Sequence, residues 1–259
     1  MRLNKIYNEN CLTGMCRIPD QRIDMVLCDL PYGIIASAWD SIIPFNKLWE
    51  QYERIIKPNG VIALFASGQF TYELMKSNEH LYRYKWVWVK SKKGNFVNAK
   101  NRPMTNYEEI LIFSFGNTAN GSRNKMNYFP QGLIPCGKSF KRSESVFGTI
   151  AAKRPSHKNE VVREFTNYPS DALFFESVAK PVHTSQKPVP LLEYLIKTYT
   201  NEGDVVLDNC FGSGSTLVAA MNTNRHYIGF ELDSKSFDIA CRRLSAEAET
   251  SDQTHLDNA

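Results

Sequence analysis

An α/β fold built on a doubly wound, mostly parallel sheet is predicted for this 259-residue chain by three observations. Short apolar runs of strand character alternate with runs of helical spacing, as strand–helix–strand units require. A glycine-rich turn, Phe211-Gly-Ser-Gly214, follows one strand and opens a helix. The alternation breaks only over 116–182, a stretch rich in Gly, Asn, Ser, Lys and Pro that reads as an inserted, loop-rich module.

The elements follow from local pattern. Asn4 to Tyr7 offers a short first strand, and Asp24-Met-Val-Leu-Cys28 is a buried strand that ends in a loop at Asp29. Phe45 to Lys57 places Leu48, Tyr52, Ile55 and Ile56 at helical spacing and stops at the turn Pro58-Asn59-Gly60. Val61 to Ala66 is the next strand and Phe70 to Lys76 a short helix. Tyr84 to Val89 and Ile110 to Phe115 are two further strands. After the insertion, Pro188 to Tyr199 is a helix with proline in its first turn and a stripe of Leu191, Leu192, Leu195, Ile196 and Tyr199. Strand Val205 to Asp208, helix Ser215 to Asn224, strand His226 to Glu231 and helix Ser234 to Leu244 complete the alternation. The expected organisation is one domain from 1–115 and 183–248, an inserted region over 116–182, and a flexible acidic tail over 249–259.

Composition narrows the function classes. The chain is 42% hydrophobic and 22% charged, ordinary for a globular protein. No apolar run approaches the roughly 20 residues of a membrane span, and Met1 to Asn10 lacks an apolar secretory core. None of the six cysteines forms a CxxC pair, and no Cys/His cluster has zinc-ligand spacing. A cytoplasmic protein with reduced thiols and no structural metal is expected. The net charge of +4 is mild, but seven basic residues and no acidic one lie between Arg83 and Arg102. A cationic middle suits phosphate contact, and a plain solvated surface is the competing reading.

Two loops carry candidate chemistry. Asp208-Asn-Cys-Phe-Gly-Ser-Gly-Ser-Thr216 runs from a strand end into a helix, where glycines let the backbone approach a nucleotide-like ligand and the helix N-terminus favours an anionic group. The position a dinucleotide fingerprint would fill with a third glycine is Leu217, so a nicotinamide oxidoreductase is the weakest reading. Glu231, ending the next strand, can accept ribose hydroxyls. Asp29-Leu-Pro-Tyr-Gly33 follows a second strand of the same sheet, so both loops are expected at one edge. A carboxylate, a backbone carbonyl and an aromatic face suit an amine on a planar base, although an ordinary strand-end turn has the same composition. His183-Thr-Ser-Gln-Lys-Pro188 adds a compact cation and an amide before its helix.

Together these residues resemble the β group of DNA amino-methyltransferases. Asp29-Leu-Pro-Tyr32 resembles the (D/N/S)PP(Y/F) catalytic motif, Phe211-Gly-Ser-Gly214 the FxGxG cofactor motif, and His183 to Pro188 the segment that leads into the cofactor site. Asn106-Tyr-Glu-Glu-Ile-Leu-Ile-Phe113 is similar to the strand downstream of the catalytic motif. The order, catalytic motif, variable region, cofactor motif, is the permuted order of that group. Two departures stand out: Leu30 replaces a proline, and Asn209-Cys210 replaces the commoner Pro-Phe.

The resemblance implies a Rossmann-like, seven-stranded methyltransferase sheet with an inserted target-recognition region. It implies transfer of a methyl group from S-adenosylmethionine to the N6 amine of a flipped-out adenine in double-stranded DNA, without a metal. Asp29, Leu30, Pro31 and Tyr32 would be catalytic. Asp29, Asp208, Phe211, Gly212, Gly214, Ser215, Thr216 and Glu231 would border the cofactor, with Gln186 and Lys187 at its methionine end and Asn10 and Cys11 nearby. A homodimer and a cognate restriction endonuclease are partners the resemblance allows, and a membrane is not among them. Cytosine-N4 methylation, methylation of RNA or of a protein glutamine, and a DNA-binding protein without catalysis stay open as alternatives. Serine commonly stands in place of Asp29 in cytosine enzymes, which favours adenine.

Overall fold

The computed structural model describes every residue except 34–40, 142–159, 184 and 257–259. The chain divides into two compact units, 1–129 with 171–259, and 130–170.

The larger unit is built on an eight-stranded sheet. Its strands are β1 (Lys5–Asn8), β2 (Ile23–Cys28), β3 (Ile56–Ala66), β4 (Tyr82–Gly94), β5 (Thr105–Phe113), β8 (Ala172–Phe174), β9 (Val205–Asp208) and β10 (His226–Glu231). They lie in the order β1-β10-β9-β2-β3-β5-β4-β8. All neighbours are parallel except β5, which runs against both β3 and β4. Seven of these strands were expected. The eighth, β8, is three residues long and pairs with β4 through Val87↔Ala172, Trp88↔Leu173 and Val89↔Phe174.

The helices are α1 (Cys11–Met15), α2 (Phe45–Ile55), α3 (Gln69–Ser77), α4 (Val189–Tyr199), α5 (Ser215–Asn222) and α6 (Ser234–Leu256). They cover both faces of the sheet, so β2 and β9 are buried at every position. Alternate residues of β2 feed two cores. Met25 and Leu27 pack with Leu195, Tyr199 and Leu217 of the α4–α5 layer. Val26 and Cys28 pack with Met15, Leu48 and Tyr52 of the α1–α2 layer. The one carboxylate in β2, Asp24, is buried with both oxygens satisfied, by Lys57 Nζ at 2.6 Å and the Val205 N–H at 2.9 Å.

Three expectations are corrected. Pro58-Asn59-Gly60 does not end the helix outside the sheet. It lies inside β3 as an irregularity, between the pairs Ile23↔Ile56 and Met25↔Val61. The insertion is narrower than 116–182, because its flanks pack with the larger unit and β8 joins the main sheet. The closing helix does not stop at Leu244, since α6 continues to Leu256, and only 257–259 of the expected tail fall outside the described residues.

The smaller unit contains an antiparallel pair, β6 (Ile134–Lys141) with β7 (Glu160–Thr166), in register from Ile134↔Thr166 to Lys141↔Glu160 with one irregularity between Pro135 and Lys138. Asn167, at positive φ, donates its side-chain amide to the Gly132 carbonyl and ties off the base of this ribbon. Among the described residues no helix is long and apolar enough to cross a membrane.

Candidate active site

Strand direction decides where the chemistry collects. β1, β2, β9 and β10 are mutually parallel, so Asn10, Asp29, Asp208 and Glu231 all emerge at one edge. From β9 the chain crosses to β10 on one side, and from β2 it crosses to β3 on the other. The adjacent pair β9–β2 is therefore the switch point at which a crevice forms. A cleft of about 620 Å³ opens there, in the size range of small-molecule sites. Every predicted site residue lines it except Gly214, which sits just behind its wall.

The glycine loop is shaped for close approach. Gly212 and Gly214 have φ of +50° and +77°, a region costly for other residues. Gly214 initiates α5, whose first residues Ser215 and Thr216 face the cleft. Behind the loop, a Cβ on Gly229 would lie 2.7 Å from the Phe211 ring, so Phe211 is seated on bare backbone of β10. Glu231 clasps the loop: one carboxylate oxygen accepts the Gly212 N–H at 2.8 Å and the other the Asp233 N–H at 2.8 Å. Each oxygen keeps acceptor capacity for a ligand hydroxyl. Arg243 of α6 donates to the Ser213 carbonyl at 2.6 Å and to the Ser213 and Ser215 hydroxyls at 3.1 Å each. Sequence reasoning missed Arg243, because it is one of several cations on a closing helix and only packing shows which of them turns inward.

Asp208 is buried, accepts the Cys210 N–H at 3.1 Å, and is pushed up to about 7. Burial is the main cause. Hydrogen bonds from Thr216, the Cys210 N–H and Cys28 oppose it, and the charge of Asp29 adds to it. The departure at Asn209 has a structural account: its carbonyl oxygen accepts the buried Tyr52 hydroxyl at 2.5 Å. Asn10 accepts the Leu12 N–H at 2.9 Å and caps α1. All six cysteines are unpaired, and Cys11 lines the cleft.

At the Asp29 loop, Asp29 Oδ1 accepts the Tyr32 hydroxyl at 3.0 Å and Oδ2 pairs with Lys187 Nζ at 2.5 Å. Tyr32 stacks on Phe70 with ring centroids 4.5 Å apart and planes at 24°, so Phe70 supports one face of the ring. Leu30 is buried among the α1–α2 side chains, an environment that accepts leucine in place of proline.

Lys187 and Gln186 are engaged within the chain rather than left open for a ligand carboxylate. Gln186 Oε1 accepts the Val182 N–H at 2.9 Å. Lys187 is buried between two carboxylates, Asp29 and Glu108, the latter at 3.3 Å, and its ammonium lies 5.0 Å from the Phe65 ring centroid. Glu108 in turn pairs with Lys90 at 2.8 Å. The reversed direction of β5 explains the assembly: β4 ends at the cleft edge, where it delivers Lys90, and β5 begins there, where it delivers Glu108.

The four charges alternate in sign and sum to zero. Burial opposes the charged form of Lys187, but the two carboxylates outweigh it and raise its pKa. Burial likewise opposes the Glu108 carboxylate, but Lys187 and Lys90 outweigh it and hold the pKa low. At Asp29 burial wins and the carboxyl is raised, with Lys187 opposing and Glu108 reinforcing. Glu108 was legible only as an acid near an apolar strand, and nothing in the sequence shows that it faces Lys187.

Comparison with known proteins follows the same outline. A family model for DNA methylases matches residues 23–242. The type II methyltransferase M.HpaI of Haemophilus parainfluenzae is 26% identical over 255 residues, covering 94% of this chain and 74% of its own. M.BglII of Bacillus subtilis is 25% identical over 270 residues, covering 95% and 70%. Among solved structures, the M1.HpyAVI–SAM complex aligns with a TM-score of 0.59 at 21% identity, over 92% of this chain and 98% of its own. The cytosine-N4-specific PvuII DNA methyltransferase aligns with a TM-score of 0.63 at 14% identity, over 95% and 94%. At these identities the two structures speak to the fold.

Proposed function

We propose, from the premise that this chain belongs to the DNA methylase family matched over residues 23–242, that it methylates the N6 amine of adenine in double-stranded DNA with S-adenosylmethionine as donor. The observation that carries the reading is the meeting of the Asp29 loop and the Gly212–Gly214 loop in one cleft at the β9–β2 switch point.

The cleft fits the cofactor. Positive-φ glycines bring the backbone near the ligand, Glu231 keeps lone pairs for ribose hydroxyls, and the start of α5 suits the carboxylate end. S-adenosylmethionine, when bound, would supply an electrophilic methyl group on sulfur and leave as S-adenosylhomocysteine.

The chain's own residues then act on the acceptor. An adenine amine is a weak nucleophile, because its lone pair is delocalised into the ring. The Asp29 carboxylate and the Leu30 carbonyl accept hydrogen bonds from its two N–H groups and draw the nitrogen toward tetrahedral geometry, aiming the lone pair. A carboxyl raised above its usual range is a stronger base, which suits Asp29 to receive the proton the nitrogen sheds. Tyr32, held by Phe70 and by its bond to Asp29, stacks on the flipped base for about 1–3 kcal/mol against an extrusion cost of a few kcal/mol. Lys187 keeps Asp29 ionised until the amine arrives. The 130–170 unit, with Lys138 and Arg163 on its ribbon, is the target-reading module.

Expression in a host without methylated DNA, followed by sequencing that detects modified bases, tests the reading. N6-methyladenine at one motif is the expected result, with none in the Asp29→Ala variant. N4-methylcytosine would move the acceptor to cytosine, and unmodified DNA would overturn the proposal.

A further inference from the structure

The β4–β5 hairpin extends past the cleft edge. Pairing runs to Val89↔Tyr107 and resumes once at Gly94↔Thr105, and residues 95–104 form the tip. Its base is anchored: Lys92 Nζ donates to the Val178 and Ala179 carbonyls at 3.1 and 3.3 Å, and the Ser91 hydroxyl accepts the Ser177 N–H at 3.0 Å. The tip itself is internally bonded. Asn95 turns the chain at φ +63°, a short 3₁₀ turn follows at Phe96–Asn98, and the Asn98 carbonyl accepts the N–H groups of Asn101 and Arg102 at 2.9 and 3.0 Å. The Asn95 and Asn98 side chains bond each other at 2.8 Å.

This ordered tip exposes the wrong residues for a solvent loop. Phe96 is 74% and Val97 78% exposed, the only sequence-adjacent pair among the exposed large apolar side chains of the described residues. Folding alone gives no reason to hold an aromatic and a β-branched side chain in water on a bonded turn. Near them in sequence the charge has one sign: Lys93, Lys100 and Arg102 flank the pair, with no acid between Arg83 and Arg102. Lys90, Lys92 and Lys93 also line the cleft. An apolar pair with cations on both sides, on an arm rooted at the wall of the catalytic cleft, has the chemistry of a groove wedge.

We infer that Phe96 and Val97 form a wedge that enters the DNA duplex at the step vacated by the target base, while Lys93, Lys100 and Arg102 hold the adjacent phosphates. The inference rests on the proposed methylation of a flipped base and adds the device that holds the base out. A flipped base leaves a gap whose stacking is lost. Phe96 restores a stacked surface there, and Val97 fills the remaining apolar volume.

The test uses the full-length protein and its double variant Phe96→Ala/Val97→Ala. Each is assayed for labelled methyl transfer to oligonucleotides carrying the motif mapped for the wild type. In one the target base is normally paired, and in the other it faces an abasic site and is already loosely stacked. On the paired duplex the variant is expected to lose about 10- to 100-fold in kcat/KM, and on the abasic-site duplex to come within about 3-fold of wild type, because the unstacking the wedge offsets is no longer needed. Cofactor affinity, measured by calorimetry, is expected to equal that of wild type. Equal losses on both duplexes, or none on the paired one, overturn the wedge while leaving the methyltransferase reading intact. A wild-type protein that modifies neither duplex overturns that reading and the wedge with it.

Discussion

Replacing Lys187 by methionine keeps the length of the side chain and removes the charge from between Asp29 and Glu108. Lys187 touches Asp29 at 2.5 Å and Glu108 at 3.3 Å with little solvent to screen it. Unit charges about 4 Å apart attract by about 4 kcal/mol at an effective dielectric of about 20. Breaking a buried pair by removing one partner costs about 3–5 kcal/mol, which agrees. The site relieves that cost by binding a proton. Burial already raises Asp29 and Lys187 is its main opponent, so the proton goes to Asp29. The acidic limb of kcat/KM therefore moves to higher pH. At neutral pH the ionised fraction, and the rate with it, falls; about 4 kcal/mol at about 1.4 kcal/mol per factor of ten bounds the loss at roughly 1,000-fold. The assay is methyl transfer from pH 6 to 9.5 in wild type, Lys187→Met and Lys187→Arg. Activity of the methionine variant should recover with rising pH, and the arginine variant should restore much of the wild-type profile. A methionine variant whose loss is the same at every pH would refute the reasoning and reduce Lys187 to a packing residue.

Asp208 titrates at about 7 in the folded chain against 3.8 for an ordinary aspartate, so between those values the folded state holds the extra proton. Its contribution is fully present below about pH 4 and is lost as the pH rises through 7. Asp208→Asn should therefore flatten the fall in melting temperature between pH 5 and pH 8, and an unchanged fall would place the titration elsewhere. Replacing Lys138 and Arg163 of the smaller unit by alanine should weaken DNA binding and lower the slope of log affinity against log salt by about 0.9 for each phosphate no longer neutralised. An unaltered slope would put the phosphate track on other residues.

The part of the site that was legible in the sequence is the part held in continuous segments. Asp29 to Tyr32 and Phe211 to Gly214 each follow a recognisable strand, and in a parallel sheet such segments must share an edge. Glu231 was legible for the same reason. The residues that escaped are brought in by register or packing. Lys90 and Glu108 meet because β5 is reversed, and no local pattern announces a reversed strand. Phe70 supports Tyr32 from the start of α3, and Arg243 reaches the glycine loop from α6. A lysine in sequence is a charge without a direction, so Lys187 could be placed near the cleft but not between its carboxylates. β8 was lost in the insertion because three residues are too few to show a period.

The reversal of β5 has a consequence for the electrical character of the cleft. Were every strand parallel, Glu108 would be carried to the far edge of the sheet, and Lys187 would be left with Asp29 alone. Because β5 enters where the others leave, Glu108 meets Lys187 and Lys90 there and completes a neutral quartet with Asp29. A polyanion approaching Asp29 thus meets a cluster with no net charge, although the carboxylate itself is negative.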